Sequence, residues 1–274
     1  MQNICISQSD SPSGHTPQQF PRKWNCSIDR PLTAKEYDSL IHLAEHAIFI
    51  DYNDSCFSKA VESIKNEPLI GIDVKATNID NHYEVTLLSI STQTCVYQFD
   101  ILKLGMAAFD NGLRSIFESS VQKVIHNSRL SSGCLYHKYS VRIDNVFDTQ
   151  VGELMIEKNV CGYFPKYVCS LPECMQIFLG IPPRVVQFNK GDTVMWMKRP
   201  LSQSLKFAGA QDAIFLLPLQ ESIMAKMFVS LKKGINIFLK TVRDSECDEA
   251  AQHIGMNYLV PQEFLELDCG SSES

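Results

Sequence analysis

Leu69-Ile70-Gly71-Ile72-Asp73-Val74 is the stretch on which the fold turns. It is short, apolar and rich in β-branched residues, and it reads as a strand. Two more runs follow, Val85-Thr86-Leu87-Leu88-Ser89-Ile90 and Cys95-Val96-Tyr97-Gln98-Phe99, separated by polar turn residues, so the three read as a meander. Upstream, the apolar run Ala47 to Ile50 precedes Phe57, Ala60, Val61 and Ile64 at helical spacing. Downstream, a helical segment around Gly105 to Glu118 leads into Lys123-Val124-Ile125-His126, and another helix is expected near Cys134 to Tyr139. Ser204 to about Leu239 reads as two helical stretches, with Pro218 near their boundary or kinking one of them. Strands alternating with helices predict an α/β fold built on a mixed central sheet flanked by helices.

The ends of the chain read differently. Residues 1–30 are rich in Ser, Pro, Gln and Asn without apolar periodicity, which predicts a disordered tail. Thr33-Ala34-Lys35-Glu36 is a capping box opening a short helix within 31–46. Residues 47–245 are expected to form the main domain with its C-terminal helices, and 246–274 an extension whose Ser-rich end is disordered.

Composition narrows the function classes. The chain has 274 residues, 45% of them hydrophobic and 20% charged, which is ordinary globular usage. No apolar run approaches the roughly 20 residues of a membrane-spanning helix, and the N-terminus shows no secretory or transit pattern. A cytoplasmic or granule-associated protein is expected. The ten cysteines fall at irregular spacing in apolar runs and read as reduced, packed thiols; Cys161, Cys169 and Cys174 contain no Cys-x-x-Cys pair for zinc. His42 and His46 share a helix face but lack the zincin glutamate and a third ligand. A net charge of −6 argues against coating nucleic acid with the whole surface, while a local basic groove is compatible with it.

The order of motifs resembles the ribonuclease D type of 3′-5′ exonuclease domain, in the DEDD superfamily with its ribonuclease H-like fold. The resemblance runs from about Ala47 to Leu219. It rests on Ile70-Gly71-Ile72-Asp73, Lys123-Val124-Ile125-His126, Val146-Phe147-Asp148-Thr149-Gln150, Ser170-Leu171 to Leu179-Gly180-Ile181, Trp196-x-x-Arg199-Pro200-Leu201, and Ala210-Gln211-Asp212 with Leu216-Leu217-Pro218-Leu219. Phe99-Asp100-Ile101-x-x-Leu104-Gly105 with Ala108-Phe109-x-Asn111-Gly112-Leu113 is similar to a germline branch associated with PIWI-interacting RNA.

The resemblance implies a site in which four carboxylates hold two divalent metals that activate water at the scissile phosphate, while an aromatic or histidine orients the nucleophile. Here the pattern departs from the family. Asp73 and Asp212 stand at carboxylate positions, but Lys75 occupies the glutamate position, Ser131 the position of another aspartate, and Ala208 that of the tyrosine. Residues i and i+2 of a strand share a face, so the Lys75 ammonium is expected where a metal would sit, paired with Asp73 and Asp212. These positions are therefore read as vestigial, with no catalytic residue, no metal and no cofactor. An active reading needs magnesium or manganese and another acid, of which Asp148 is the nearest. A groove without metals can still take single-stranded RNA, and His126, Arg129, Lys190, Lys198 and Arg199 are the candidate contacts; solvated surface charge, or for Arg199 a structural role beside Trp196, is equally compatible. The resemblance further implies an adapter beside PIWI and Tudor-domain proteins, a homodimer through the exonuclease domain, and germ granules and meiosis as its setting. Met224, Met227, Phe228 and Ile235 to Leu239 read as helix core first and as a partner interface second. Longer members of the branch carry an LSm-like barrel before the exonuclease domain, and the segment before Ala47 is too short to supply one.

Overall fold

The computed structural model describes residues 31–79, 82–182, 193–244, 246, 253 and 259–267. The expected N-terminal tail, the Ser-rich end and the candidate Lys190 lie outside the described residues. Among the described residues six strands form one mixed sheet: β1 (Ile48–Ile50), β2 (Leu69–Ile79), β3 (His82–Ser91), β4 (Val96–Phe99), β5 (Gln122–Ile125) and β6 (Val146–Asp148), ordered β1-β4-β3-β2-β5-β6. β2 runs antiparallel to β3 and parallel to β5, β5 runs parallel to β6, and β4 runs antiparallel to β3 and parallel to β1. This is the α/β architecture expected from the alternating pattern.

Helices cover both faces. On one lie α2 (Ser55–Lys65), the short turns α3 (Ile101–Leu104), α4 (Met106–Ala108) and α5 (Arg114–Phe117), and α6 (Ser128–Tyr139). Phe57, Ile64, Ile70, Ile72, Phe109, Phe117 and Tyr139 make the buried core there. On the other lie α1 (Ala34–Glu45), α7 (Thr149–Cys161), α8 (Leu171–Leu179), α9 (Gln203–Ile214) and α10 (Leu216–Met227), which bury Ile156, Phe178, Ile214, Phe215 and Ile223. α11 (Val229–Thr241) and α12 (Gln262–Leu265) follow. The capping box forms as expected, with Thr33 accepting from the Glu36 amide and Glu36 reaching back.

Three helices rather than two run from Gln203 to Thr241: Pro218 lies near the first boundary as expected, in the first turn of α10 where its missing N–H has no partner to lose, and a second break, with a 50° bend, falls at Phe228. The apolar series beyond it corrects the expectation of helix core: Ile237 is buried, but Met227, Phe228, Ile235, Phe238 and Leu239 are exposed. No single described helix is long and apolar enough to cross a membrane; Gln203–Met227 with Val229–Thr241, bent by 50°, passes by length and composition only, and α9 and α10 are seated on the sheet.

That seating is what builds the site. A Cβ on Gly71 of β2 would lie 2.9 Å from the Ala213 carbonyl oxygen, and one on Gly209 of α9 would lie 2.8 Å from Leu87, so two bare backbones let α9 approach the sheet closely. The Ser91 hydroxyl then donates to the Ala213 carbonyl at 2.8 Å. Asp212, one residue earlier on α9, is thereby held over β2.

Candidate functional site

Parallel pairing of β2 with β5 ends at Ile72 opposite Ile125. Beyond that point β2 continues alone on this side, so Asp73 and Lys75 border the crevice at the carboxyl end of β5, the usual ligand position in open α/β sheets. Alternation puts both on the face of Gly71, toward α9. The Lys75 Nζ lies 2.6 Å from Asp212 Oδ2, and 3.1 and 3.0 Å from Asp73 Oδ1 and Oδ2. The indole of Trp196, carried by the 3₁₀ turn Thr193–Met197, covers the ammonium with its ring centroid 5.4 Å away. All three charged side chains are largely shielded, at 17, 16 and 29% exposure for Lys75, Asp73 and Asp212.

Burial pushes the Asp73 carboxyl above its ordinary value, Lys75 holds it down in part, and the charge of Asp212 adds to the rise. For Lys75 burial alone would favour the neutral amine, but Asp212 and Asp73 outweigh it and keep the ammonium charged well above its usual range. The expected Lys75-centred ion pair is therefore formed, and it spans both surviving carboxylates.

Two divalent cations do not fit this donor set. Ser131 offers a hydroxyl from a buried position on α6, and Ala208 a methyl group packed beside Leu87, Trp196, Leu201 and Leu205. Magnesium and manganese sites are built from several hard oxygen donors. Here two carboxylates already face a cationic nitrogen within hydrogen-bond distance, and among the described residues no group of three or more His, Cys, Asp or Glu is placed to hold a metal. His42 and His46 stack on each other, and His46 Nδ1 engages the His42 carbonyl oxygen.

His126 follows β5 directly and sits at the edge of the same crevice, where the charge of Asp212 reaches it. Its Nε2 lies 3.1 Å from the Cys169 carbonyl, which can only accept, so Nε2 carries the proton and Nδ1 accepts from the Thr149 hydroxyl at 2.9 Å. Burial lowers its pKa, despite Asp148 nearby, and keeps the imidazole neutral. Gln150 donates to the same carbonyl at 2.8 Å and accepts from exposed Arg129 at 3.3 Å. The Asp148 carboxylate is occupied: it takes the backbone N–H groups of Asn127, Ser128 and Gln150, anchoring the first turns of α6 and α7. It does not supply a replacement acid.

Of the two readings open for Arg199, RNA contact and a structural role beside Trp196, the geometry matches the second. Its Nε and Nη2 form a fork on buried Asp100 at 2.6 and 2.8 Å, Nη1 donates to the Trp196 and Lys198 carbonyls, and Nη2 also donates to Thr86. All five N–H donors are engaged, so Arg199 is a clamp on the Trp196 turn and has none left for RNA. Arg129 and Lys198 remain exposed at the rim. The Thr149, Gln150 and Cys169 network escaped the sequence reading because its hub is a backbone carbonyl, which leaves no residue-type signal.

Comparison with known proteins agrees with this architecture. The chain matches the family model of the 3'-5' exonuclease over residues 49–227. It is 34% identical over 218 residues to the piRNA biogenesis protein EXD1 of Bombyx mori, covering 79% of this chain and 69% of that protein. It is 32% identical over 220 residues to the Homo sapiens protein of the same name, covering 77% of this chain but 43% of that protein. Among solved structures, the Trypanosoma brucei RNase D–GMP complex superposes with a TM-score of 0.57 at 18% identity, covering 66% of this chain and 58% of that one. The Aedes aegypti Nibbler EXO domain gives 0.53 at 20% identity, covering 66% and 88%. These structural likenesses speak for the fold, and the sequence matches place the chain in the 3'-5' exonuclease family, among the piRNA biogenesis proteins EXD1.

Proposed function

We propose that this domain is a metal-free exonuclease fold that binds single-stranded RNA and serves as an adapter in piRNA biogenesis. The observation that supports this most is the Lys75 ammonium between Asp73 and Asp212, which satisfies with a covalently attached cation the carboxylates a metal would need. Ser131 and Ala208 stand at the other positions, where the resemblance implies a metal-binding aspartate and a nucleophile-orienting tyrosine. What the domain retains is the crevice at the carboxyl end of β5, with exposed Arg129 and Lys198 as its candidate RNA contacts. The name of the relatives supports the pathway, and the likeness in fold to a Trypanosoma brucei RNase D solved in complex with RNA U12 supports RNA as the ligand.

The test is incubation of purified protein with end-labelled single-stranded RNA in magnesium and in manganese, with binding measured in parallel. Intact RNA is expected, bound with an affinity that falls steeply with salt and with Arg129→Glu or Lys198→Glu. Stepwise shortening by the unmodified protein would overturn the reading and restore an active exoribonuclease.

A specific observation favours a protein-binding role alongside. α11 and α12 frame an apolar groove of about 550 Å³ lined by Leu231, Ile235, Phe238, Leu239, Phe264 and Leu267. Such a face suits a PIWI or Tudor-domain partner or a second copy of the chain in a cytoplasmic germ granule. Association that is lost on Ile235→Asp or Phe238→Asp, with RNA binding unchanged, distinguishes this role from the first.

A further inference from the structure

The segment from Gly162 to Ser170 joins α7 to α8 and is unusual in what it exposes. Gly162 ends α7 with φ +81°, a conformation glycine adopts without strain, and turns the chain outward. Tyr163, Phe164 and Tyr167 then stand 51, 57 and 56% exposed within five residues. Three large rings in water on one short loop forgo the burial that normally places aromatics inside. Two lysines accompany them: Lys158 Nζ lies 5.9 Å from the Phe164 ring centroid and donates to the Gly162 carbonyl at 2.5 Å, and Lys166 Nζ lies 5.5 Å from the Tyr167 ring.

The loop is also tied to the crevice. Buried Cys169 closes it, and the Cys169 carbonyl is the acceptor shared by His126 and Gln150, with Arg129 on the far side of Gln150. The C-terminal end of the aromatic loop is thus anchored to the residues that border the crevice. Planar rings interleaved with ammonium groups beside a cleft match what a single-stranded nucleic acid needs, since every base has a face to stack and every linkage a charge to neutralise.

We propose that Tyr163, Phe164 and Tyr167 form a base-stacking platform for single-stranded RNA, with Lys158 and Lys166 contacting the phosphates of the stacked nucleotides. This rests on the RNA-binding reading above and locates it. An acidic or proline-rich peptide could also meet rings and lysines, but the continuity with the crevice favours the polynucleotide.

The test uses the full chain and a short fluorescein-labelled oligouridylate, read by anisotropy across a salt series, with ultraviolet cross-linking to locate the contact. Tyr163→Ala, Phe164→Ala and Tyr167→Ala should each weaken binding at least about fivefold, whereas Tyr167→Phe should keep it. Lys158→Gln/Lys166→Gln should flatten the slope of log affinity against log salt by about 1.4. Exposed rings make few folded-state contacts, so melting temperatures should stay unchanged; the lysine pair tests the same surface without touching a ring. Cross-links on Tyr163, Phe164 or Tyr167 would support the platform. Wild-type binding that none of these variants alters overturns the platform and leaves RNA to the crevice alone. Absence of binding by the wild type overturns both readings.

Discussion

Replacing Lys75 by methionine keeps most of the side-chain volume and removes only the charge, leaving Asp73 and Asp212 facing each other under Trp196. The ammonium is bonded to both carboxylates, at 3.1 and 2.6 Å, and all three groups are less than a third exposed. Removing one partner of such a buried charge cluster costs about 3–5 kcal/mol, since the remaining charges are left shielded from water and uncompensated. For a domain of roughly 150–250 residues each kcal/mol moves the melting temperature by about 2–4 °C, so Lys75→Met should melt about 6–20 °C below the wild type at neutral pH. The pH dependence gives a sharper check. In the wild type Lys75 is raised above its ordinary 10.5, so its stabilisation is complete below that pH and is lost only as pH climbs through the higher folded value. In the variant, burial and Asp212 push Asp73 up from 3.8 with no ammonium to hold it down. An acid whose folded pKa is raised costs stability above that pKa and regains it as pH falls through it, so the deficit should shrink between pH 7 and pH 4. Adding Asp212→Asn to Lys75→Met should recover a large part of the loss at pH 7. Urea denaturation of the four proteins of this double-mutant cycle measures all of it. A Lys75→Met variant as stable as the wild type at pH 7, or a deficit independent of pH, would refute the claim that the ammonium compensates these carboxylates.

The remaining predictions concern the frame around that cluster. Gly71→Ala places a Cβ 2.5 Å from the Ser91 hydroxyl oxygen and 2.9 Å from the Ala213 carbonyl, and should destabilise by about 1–3 kcal/mol in urea titration. Arg199→Ala strands the fully buried Asp100 and should cost about 3–5 kcal/mol. Arg199→Lys should recover little of that, since an ammonium cannot reproduce the fork, and the salt dependence of RNA binding should be unchanged in whatever remains folded. Lys123 is buried in β5, donates to the Ser119 carbonyl at 2.6 Å, and is lowered to about 8 by burial, with Asp144 opposing. A base with a lowered folded pKa takes its proton more readily when unfolded, so stability should rise with pH between 8 and 10.5, and Lys123→Met should remove that rise in a series of pH-dependent melts. Finally, millimolar magnesium should leave the wild-type melting temperature unchanged and raise that of Lys75→Glu/Ser131→Asp; an increase in the wild type would contradict the poor fit of this donor set to a metal.

The strands, their alternation with helices and the Thr33 capping box were legible because each is a local pattern of a few residues. The pairing of Lys75 with Asp73 was legible for the same reason, since strand geometry alone puts i and i+2 on one face. Its second bond, to Asp212 137 positions away, followed from the resemblance and from no local pattern. What brings the two together is invisible locally: Gly71 and Gly209 matter for the side chains they lack, and a missing Cβ becomes informative only when the opposing backbone is known. Arg199 shows what the sequence leaves open, since it fitted both an RNA contact and a structural role beside Trp196. A basic residue near a groove reads as an anion contact until its five donors are counted, and the partner that decides the matter, Asp100, lies 99 positions away. The exposed face of α11 misled for a further reason, because amphipathic spacing says that a helix has an apolar side but not that anything covers it.

The same contrast separates what docks α9 on the sheet from the charges that docking brings together. Docking of α9 on the sheet depends on the two glycines, the Ser91–Ala213 hydrogen bond and the apolar contacts of Ala210, Ile214 and Phe215, and none of these involves a charge. The charges are gathered on β2 and at Asp212, where docking brings two carboxylates together whether or not a cation is available. Without one, both would face each other in a shielded site, which a buried carboxylate can tolerate only by keeping a proton. A lysine at position 75 ends that dependence, because its ammonium is present at every physiological pH and is tied to the same strand as Asp73. Lys75, which makes the site a poor home for a divalent metal, thus also lets the crevice hold its shape without one, as the proposed binding function requires.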